Sequence, residues 1–244
     1  MFFLQLRQVP RARASRKMGR RRRGDQTSEA RVAHVSLVHY VDAFRARHEA
    51  PVAEADAVMV HNVVGTSRLS MSVAPLDLHL VSVLLPNSSF TKKKFAAITI
   101  RLQAPVCTVL LFASGKMVLT GCQDFLGCIY ATYHIMDLLR RHVHGVHFEV
   151  ETIQMQNIVG HTDLHLADRT LDLARFYADH NIDCTFQRTM FPGLIYRPLN
   201  SMVVMLIFKS GRLVLTGAKN LNSLVEAWQR MRGVLLKYVV DAEA

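Results

Sequence analysis

Long hydrophobic runs and tracts rich in glycine or proline are missing from this sequence of 244 residues. Its densest apolar run, at positions 203–208, is far shorter than the roughly 20 residues that a membrane-spanning helix requires. With only 12 glycines and 7 prolines, the chain is neither collagen-like nor of low complexity. Because 50% of its residues are hydrophobic, a wholly disordered protein is excluded as well. These absences leave a globular protein of one or two domains.

Patterns that would indicate catalysis or metal binding are also missing. The four cysteines, at positions 107, 122, 128 and 184, form no CxxC pair, which argues against a disulfide framework or a zinc module. A reducing, intracellular setting is the expected one. The sequence has no GxSxG motif, no Walker loop and no HExxH motif, and its 12 histidines lack zinc-site spacing. We therefore expect no enzyme activity, no cofactor and no metal site.

Acidic residues are absent from the first 23 positions, which carry nine basic groups out of a net charge of +11. The cluster of Lys17 and residues 20–23 is typical of a solvated tail that serves nuclear localisation or nonspecific binding to nucleic acid. A disordered start that keeps the protein soluble and a mitochondrial transit peptide are two other interpretations. We expect residues 1–57 to form a flexible basic tail.

An internal repeat is the most informative pattern in the chain. The segment VHNVVG at 60–65 recurs as MQNIVG at 155–160, and LLFASGKMVLTG at 110–121 recurs as LIFKSGRLVLTG at 206–217. The second pair of segments agrees at eight of twelve positions. The two pairs of segments are separated by almost the same distance along the chain, 95 and 96 residues. We therefore predict two tandem copies, at 58–150 and 151–240.

Each copy predicts the same order of elements: a strand, a short helix, three further strands and a closing helix. For the first closing helix we expect a buried face of Leu126, Ile129, Tyr130, Tyr133 and Met136. For the second, Asn220 or Asn222 is the expected N-cap. Strands grouped between helices predict an α+β fold, in which helices cover one face of an antiparallel sheet.

Strand parity predicts that the other face of this sheet is apolar and open. Leu110 and Phe112 share one face with Val118 and Thr120, and the alternate residues of the same strands are apolar too. The predicted helices are too few to cover both faces, and a large exposed apolar patch usually marks a binding surface. Periodicity alone leaves an alternative open, namely burial of this face against a partner chain or between the two halves.

Two asparagines recur on that face. Asn62 shares strand parity with Val64, and Asn157 shares it with Val159. Paired amides offer hydrogen-bond donors to a quasi-symmetric ligand such as the DNA minor groove, where A·T pairs present only acceptors. A single strand asparagine commonly bonds its own backbone, so the evidence lies in the recurrence in register. Phenylalanines recur beside cations as well, which is the arrangement needed to unstack a base step and hold a bent duplex.

At these residues the chain resembles the TATA-box-binding protein family, over positions 58–238. The most specific matches are KKFAAI, LLFASGKMVLTG, MQNIVG, FPGLIYR and LIFKSGRLVLTG. The resemblance implies a saddle-shaped molecule, with a curved antiparallel sheet of about ten strands and four helices on its convex face. It also implies a nuclear general transcription initiation factor that binds TATA-like promoter DNA as a monomer, kinks it and nucleates the preinitiation complex. The implied protein partners are general transcription factors of the IIA and IIB kind and polymerase-associated factors.

The resemblance further implies roles for individual side chains. Intercalation between bases is implied for Phe95, Phe112, Phe191 and Phe208. Contact with the minor groove is implied for Asn62, Val64, Leu110, Val118, Thr120, Asn157, Val159, Leu206, Val214 and Thr216. Contact with phosphates is implied for Arg101, Ser114, Lys116, Arg197, Ser210, Arg212 and Lys219.

The chain departs from the family's pattern at positions associated with protein partners. The family's acidic stretch that contacts factor IIB is replaced at 187–190 by Gln-Arg-Thr-Met, which has no acid. Gln123 replaces a customary lysine, and 199–201 replaces a basic segment. We expect the DNA-facing residues to be retained and the partner-facing surfaces to have diverged. The alternative function is a related factor of this family, or a similar binding module, whose open sheet face takes another ligand or protein, with little TATA specificity.

Overall fold

The computed structural model describes residues 58–91, 93 and 95–242, so the predicted basic tail at 1–57 lies outside the described residues. In the described part, the α-helices are α1 (Leu78–Leu84), α2 (Phe125–His142), α3 (Leu173–Asp179) and α4 (Leu221–Leu235), with 3-10 turns at Asn181–Asp183 and Leu236–Tyr238. The strands are β1 (Met59–Met71), β2 (Ser88–Ser89), β3 (Ala97–Gln103), β4 (Val106–Phe112), β5 (Lys116–Cys122), β6 (Phe148–Asp163), β7 (Arg169–Leu171), β8 (Cys184–Thr185), β9 (Leu194–Tyr196), β10 (Val204–Ile207), β11 (Arg212–Ala218) and β12 (Val239–Asp241).

Ten strands form one antiparallel sheet in the order β2-β3-β4-β5-β1-β6-β11-β10-β9-β8, while β7 and β12 pair separately. The order runs outward in the same way from the central pair, β1 and β6, so the sheet consists of two five-stranded halves. At the centre, Asn62 lies opposite Val159 and Val64 lies opposite Asn157. This register relates the two halves by a pseudo-two-fold axis. The predicted sheet of about ten strands with four helices is confirmed.

The helices lie against one face of the sheet. The long helix α2 contacts β1, β4, β5 and β6, and α4 contacts β11. Along β4, every second residue is buried beneath the helices: Cys107, Val109 and Leu111. The alternate residues Leu110 and Phe112 are only half-buried. The opposite face, which we call the open face, is therefore not covered by any part of the chain that the structure describes. Its residues remain available for contact with a ligand.

The predicted helix starts and buried faces are only partly correct. Asn220, not Asn222, caps α4, because its Oδ1 accepts a hydrogen bond from the backbone N–H of Ser223 at 2.8 Å. In α2 the prediction that Tyr130 is buried is wrong, since this side chain is 41% exposed. The buried face is instead formed by Phe125, Cys128, Ile129, Ala131, Thr132, Ile135, Met136 and Leu139.

The rotation of α2 about its own axis, which places Cys128 rather than Tyr130 against the sheet, explains the difference. A Cβ added to Gly65 of β1 would lie 3.0 Å from the Sγ of Cys128. The helix therefore approaches the central strand closely, and small side chains such as Cys128 and Ala131 fit at the contact where a tyrosine ring would not. None of the described helices is both long and apolar enough to cross a membrane.

Two glycines at matching positions, in the last residues of β5 and β11, offer a test of how closely the backbone packs there. Gly121 and Gly217 both have positive φ, 86° and 97°. A Cβ on Gly217 would collide with the carbonyl oxygen of Met202, whereas the nearest atom at Gly121 is 4.0 Å away, the backbone nitrogen of Thr108. We expect Gly121→Ala to lower the free energy of unfolding by about 1–2 kcal/mol, the usual strain of a left-handed residue. Gly217→Ala should lower it by clearly more. Equal losses in chemical denaturation would show that the Met202 carbonyl imposes no constraint.

Candidate functional site

The open face carries the apolar residues that were predicted to line a groove. Along each strand they alternate with residues buried beneath the helices; Val118 of β5, for example, lies between the buried Met117 and Leu119. Cross-strand neighbours recur in the two halves, with Leu110 opposite Val118 and Leu206 opposite Val214. The half-buried apolar residues of this band are Val64, Leu110, Val118, Val159, Leu206 and Val214. They form one continuous strip across the pseudo-two-fold axis.

Each predicted asparagine is held by a backbone N–H from the neighbouring strand. The Oδ1 of Asn62 accepts a hydrogen bond from Gly121 at 2.7 Å, and the Oδ1 of Asn157 accepts one from Gly217 at 2.8 Å. These bonds fix the orientation of both amides, since an N–H cannot donate to the amide nitrogen. The Nδ2 of Asn157 also donates to Thr216 Oγ1 at 3.0 Å, which uses one of its two hydrogens. Each half therefore presents an oriented amide donor near the centre of the sheet.

The predicted intercalating phenylalanines form one pair in each half. The ring centroids of Phe95 and Phe112 lie 6.0 Å apart with an angle of 65° between the rings, and those of Phe191 and Phe208 lie 5.7 Å apart at 66°. Such edge-to-face geometry is favourable for aromatic pairs. Phe95 is 46% exposed and the other three rings are half-buried, so none of the four lies in the core beneath the helices. Both pairs adjoin the outer strands of their half.

A glycine makes room for the second aromatic pair. A Cβ on Gly193 would lie 2.7 Å from a ring carbon of Phe191 and 3.0 Å from a ring carbon of Phe208. Glycine at this position therefore lets both rings rest against the backbone. The matching position in the first half is Ala97, which pairs with Phe112 across β3 and β4. The two aromatic pairs thus have similar ring geometry on different backbone supports.

The residues predicted to contact phosphates are all exposed at the edge of this face. They are Arg101, Ser114, Lys116, Arg197, Ser210, Arg212 and Lys219. Arg101 and Arg197 are positioned alike, because the backbone N–H of Arg101 bonds to the carbonyl of Asn87 and that of Arg197 to the carbonyl of Asp183. Arg212 differs from the other cations: its Nε lies 3.4 Å from a carboxylate oxygen of Asp163. Among the described residues, no carboxylate lies within 4.0 Å of the other four cations of this set.

Polar residues at the centre of the open face were missed by the sequence interpretation. On one side of the pseudo-two-fold axis, Gln156 Nε2 of β6 donates to Thr66 Oγ1 of β1 at 2.7 Å. On the other side, the ring of His61 of β1 stacks on that of His161 of β6, with a centroid distance of 4.2 Å. Thr66 and His161 are matching residues, since they lie opposite the matching valines of β5 and β11. A position-by-position comparison of the two copies would have shown that the halves differ here.

The pKa values of three cysteine thiols are raised. Hydrogen bonding to Cys122, followed by burial, raises the pKa of the Cys107 and Cys128 thiols, and burial raises the pKa of Cys184 to about 11. All four cysteines are free. Among the described residues, no group of three His, Cys, Asp or Glu side chains could hold a metal ion. The open face thus offers shape, hydrogen-bond donors and positive charge, which are properties of a binding surface.

Comparisons with known proteins identify relatives over most of the described chain. The family model described as "Transcription factor TFIID (or TATA-binding protein, TBP)" matches residues 57–142 and 152–238. The TATA-box-binding protein of Tetrahymena thermophila is 36% identical over 179 residues, which is 73% of this chain and 70% of that protein. The TATA-box-binding protein of Sulfurisphaera tokodaii is 39% identical over 163 residues, covering 66% and 78% of the two chains. The solved structure of Methanococcus jannaschii TBP matches with a TM-score of 0.63 at 27% identity, covering 74% of this chain and 98% of the other.

Proposed function

Since the chain belongs to the TATA-binding protein family, we propose that it is a general transcription initiation factor whose open face binds A·T-rich promoter DNA in the minor groove. The observation that carries this proposal is the duplicated arrangement of the open face. Each half has an aromatic pair beside its outer strands, an oriented asparagine near the centre and exposed cations at the edge. The protein acts by binding and bending DNA, without chemistry. A face that bound some other ligand would give no reason for all three features to recur.

The centre of the open face suits A·T pairs. In the minor groove these pairs present only the acceptors adenine N3 and thymine O2. The Nδ2 groups of Asn62 and Asn157 can donate to such acceptors, because their Oδ1 atoms are already bonded to Gly121 and Gly217. A G·C pair would place its amino group against the apolar strip, where a buried donor without a partner is unfavourable.

The outer strands supply the means of bending. Inserting Phe95 with Phe112, and Phe191 with Phe208, between base steps would unstack the duplex at two places. Unstacking costs a few kcal/mol per step and is offset by the larger contact that bent DNA makes. The exposed cations bind the phosphates on either side and release counterions, which adds affinity that depends on salt. We propose that all seven exposed residues predicted to contact phosphates have this role.

The protein partners follow from the surfaces outside the open face. We infer a nuclear protein that binds promoter DNA as a monomer and recruits IIA-like and IIB-like general transcription factors and polymerase-associated factors through diverged contacts. In the loop at 187–190, Arg188 lies over the ring of Phe186 at 5.0 Å, and Met190 is 82% exposed. This loop therefore presents a cation and a thioether where the family has carboxylates. We also propose that the chain divides into a tail at 1–57 and two repeats, at 58–150 and 151–240.

Aspartate substitutions test the asparagine donors. Asn62→Asp and Asn157→Asp keep an acceptor for the glycine N–H but replace the groove-facing donor with a carboxylate oxygen. We expect each to weaken binding to an A·T-rich duplex at least tenfold, about 1.4 kcal/mol or more, because a donor is lost and a negative charge faces the groove. Fluorescence anisotropy with A·T-rich and G·C-rich duplexes measures both affinity and preference.

Asn222→Asp is the matched control, because it makes the same change at an exposed position of α4, on the helical side. It should leave DNA affinity within about twofold of the unmodified protein, since a distant exposed charge is largely screened. Equal affinity of the unmodified protein for the two duplexes would contradict the proposed function.

Removing one aromatic pair tests the bending mechanism. Phe191→Ala combined with Phe208→Ala should reduce the bend, because one of the two unstacked steps is lost. Energy transfer between dyes on the duplex ends measures the end-to-end distance in the complex. Tyr130→Ala, which removes an exposed ring from the helical side, serves as the control and should leave the bend unchanged. A full bend with the double variant would exclude Phe191 and Phe208 as wedges.

Charge changes in the loop at 187–190 test the partner surface. Because this loop has no acid, a conventional factor IIB should associate weakly with the DNA-bound protein. Gln187→Glu combined with Arg188→Glu restores carboxylates at exposed positions and should strengthen that association severalfold. A pull-down on immobilised A·T-rich duplex gives the comparison. Tight association of the unmodified protein that ignores both changes would rule out this account of the loop.

A further inference from the structure

The two halves of the open face differ in charge at matching positions. In the first half, Lys116 of β5 lies opposite Arg68 of β1. In the second half, Arg212 of β11 lies opposite Asp163 of β6. Arg68 and Asp163 are matching residues of the two copies, 95 positions apart like the two asparagines. An acid in one half is therefore replaced by a base in the other.

Arg68 lies on the open face, because its neighbours along β1, Ser67 and Leu69, are both buried beneath the helices. Its side chain is 47% exposed, and its Nε lies 3.1 Å from a carboxylate oxygen of Glu151. A guanidinium has five N–H donors, so the Nη end can bind a second anion while Nε keeps this contact. The residue lines a depression of about 540 Å³ together with Glu151, Phe112, Ser114 and Lys116.

Arg68 and Lys116 are like charges on directly opposed residues, which destabilise a sheet unless a counter-charge lies near them. Glu151 supplies one negative charge to this pair of cations, so the group keeps a net charge of +1. In the second half, Asp163 balances Arg212 at 3.4 Å, and the net charge is zero. The carboxylate of Asp163 also accepts a hydrogen bond from the backbone N–H of His165 at 2.8 Å, which holds it in place.

We propose that Arg68, together with Lys116 and Ser114, forms an additional phosphodiester-binding site at the first-half edge of the open face, and that this site binds the DNA backbone more strongly than the matching site of Arg212 and Asp163 in the second half. The inference rests on the proposed function, since the ligand is the phosphate backbone of the bound duplex. A phosphate placed at this depression would meet both cations and remove their mutual repulsion. Arg212 has no second cation opposite it: its neighbour is Asp163, whose negative charge offsets that of Arg212 and weakens its attraction for a phosphate.

The salt dependence of affinity for an A·T-rich duplex tests this site. The logarithm of the affinity falls with the logarithm of salt concentration by about 0.9 for each phosphate that the protein neutralises. Arg68→Gln should therefore reduce this slope by about 0.9. Arg101→Ala is the reference for the loss of one phosphate contact and should reduce the slope by about the same amount. Asp163→Asn should increase affinity severalfold, because it frees Arg212 while its Oδ1 can still accept from the His165 N–H.

A gain-of-contact variant keeps the test decisive if Arg68→Gln does not fold. Asp163→Arg reproduces the arrangement of the first half in the second, and it should increase the slope by about 0.9 relative to Asp163→Asn. Slopes unchanged by both Arg68→Gln and Asp163→Arg, alongside a reduced slope for Arg101→Ala, would overturn the additional site and leave the proposed function intact. Failure of the unmodified protein to bind any duplex would instead overturn the proposed function, and the site with it.

Discussion

The antiparallel pairing of β1 with β6 is the interaction on which the rest of the structure depends. It joins the two five-stranded halves, and its register places Asn62 opposite Val159 and Val64 opposite Asn157. Side chains alternate between the two faces of a strand, so a shift of either strand by one residue would move its asparagine beneath the helices. The buried Ile158 and the closely packed Gly65 oppose such a shift, because only this register puts them against the helical layer.

One-sided cover of the sheet links this architecture to its function. Helices α2 and α4 bury one apolar face, which supplies the stability, and the other apolar face is left without cover by the described chain. The Thr-Gly steps at the ends of β5 and β11 serve both purposes. Their glycines make the backbone bonds that orient the asparagines, and Thr216 takes one amide hydrogen of Asn157. Stability and recognition therefore use the same short segment in each half.

Sequence patterns predicted the repeat, the open face and the alternation of side chains, because each depends only on spacing along the chain. They failed at Tyr130, because the face of α2 that packs on the sheet, with Cys128 against Gly65, is turned away from this residue. They also missed the contact of His61 with His161 and that of Arg68 with Glu151. Cross-strand neighbours depend on register, and irregularities at Val60/Asn62 and Arg68/Leu69 shift the register of β1 against β6. Local spacing contains no information about such shifts.

The differences between the two halves have one physical consequence at the edge of the open face and another at its centre. Both ends of a duplex present the same phosphates, so the exchange of Arg68 for Asp163 alters affinity but cannot by itself select a direction of binding. A preference for direction requires residues that face the bases, or bases that deform unequally. The stacked His61 and His161 on one side of the pseudo-two-fold axis, against Gln156 and Thr66 on the other side, are differences of that kind. In a duplicated fold, substitutions at the edge of the face can therefore alter the strength of binding, while substitutions at its centre alter the direction in which the protein binds the duplex.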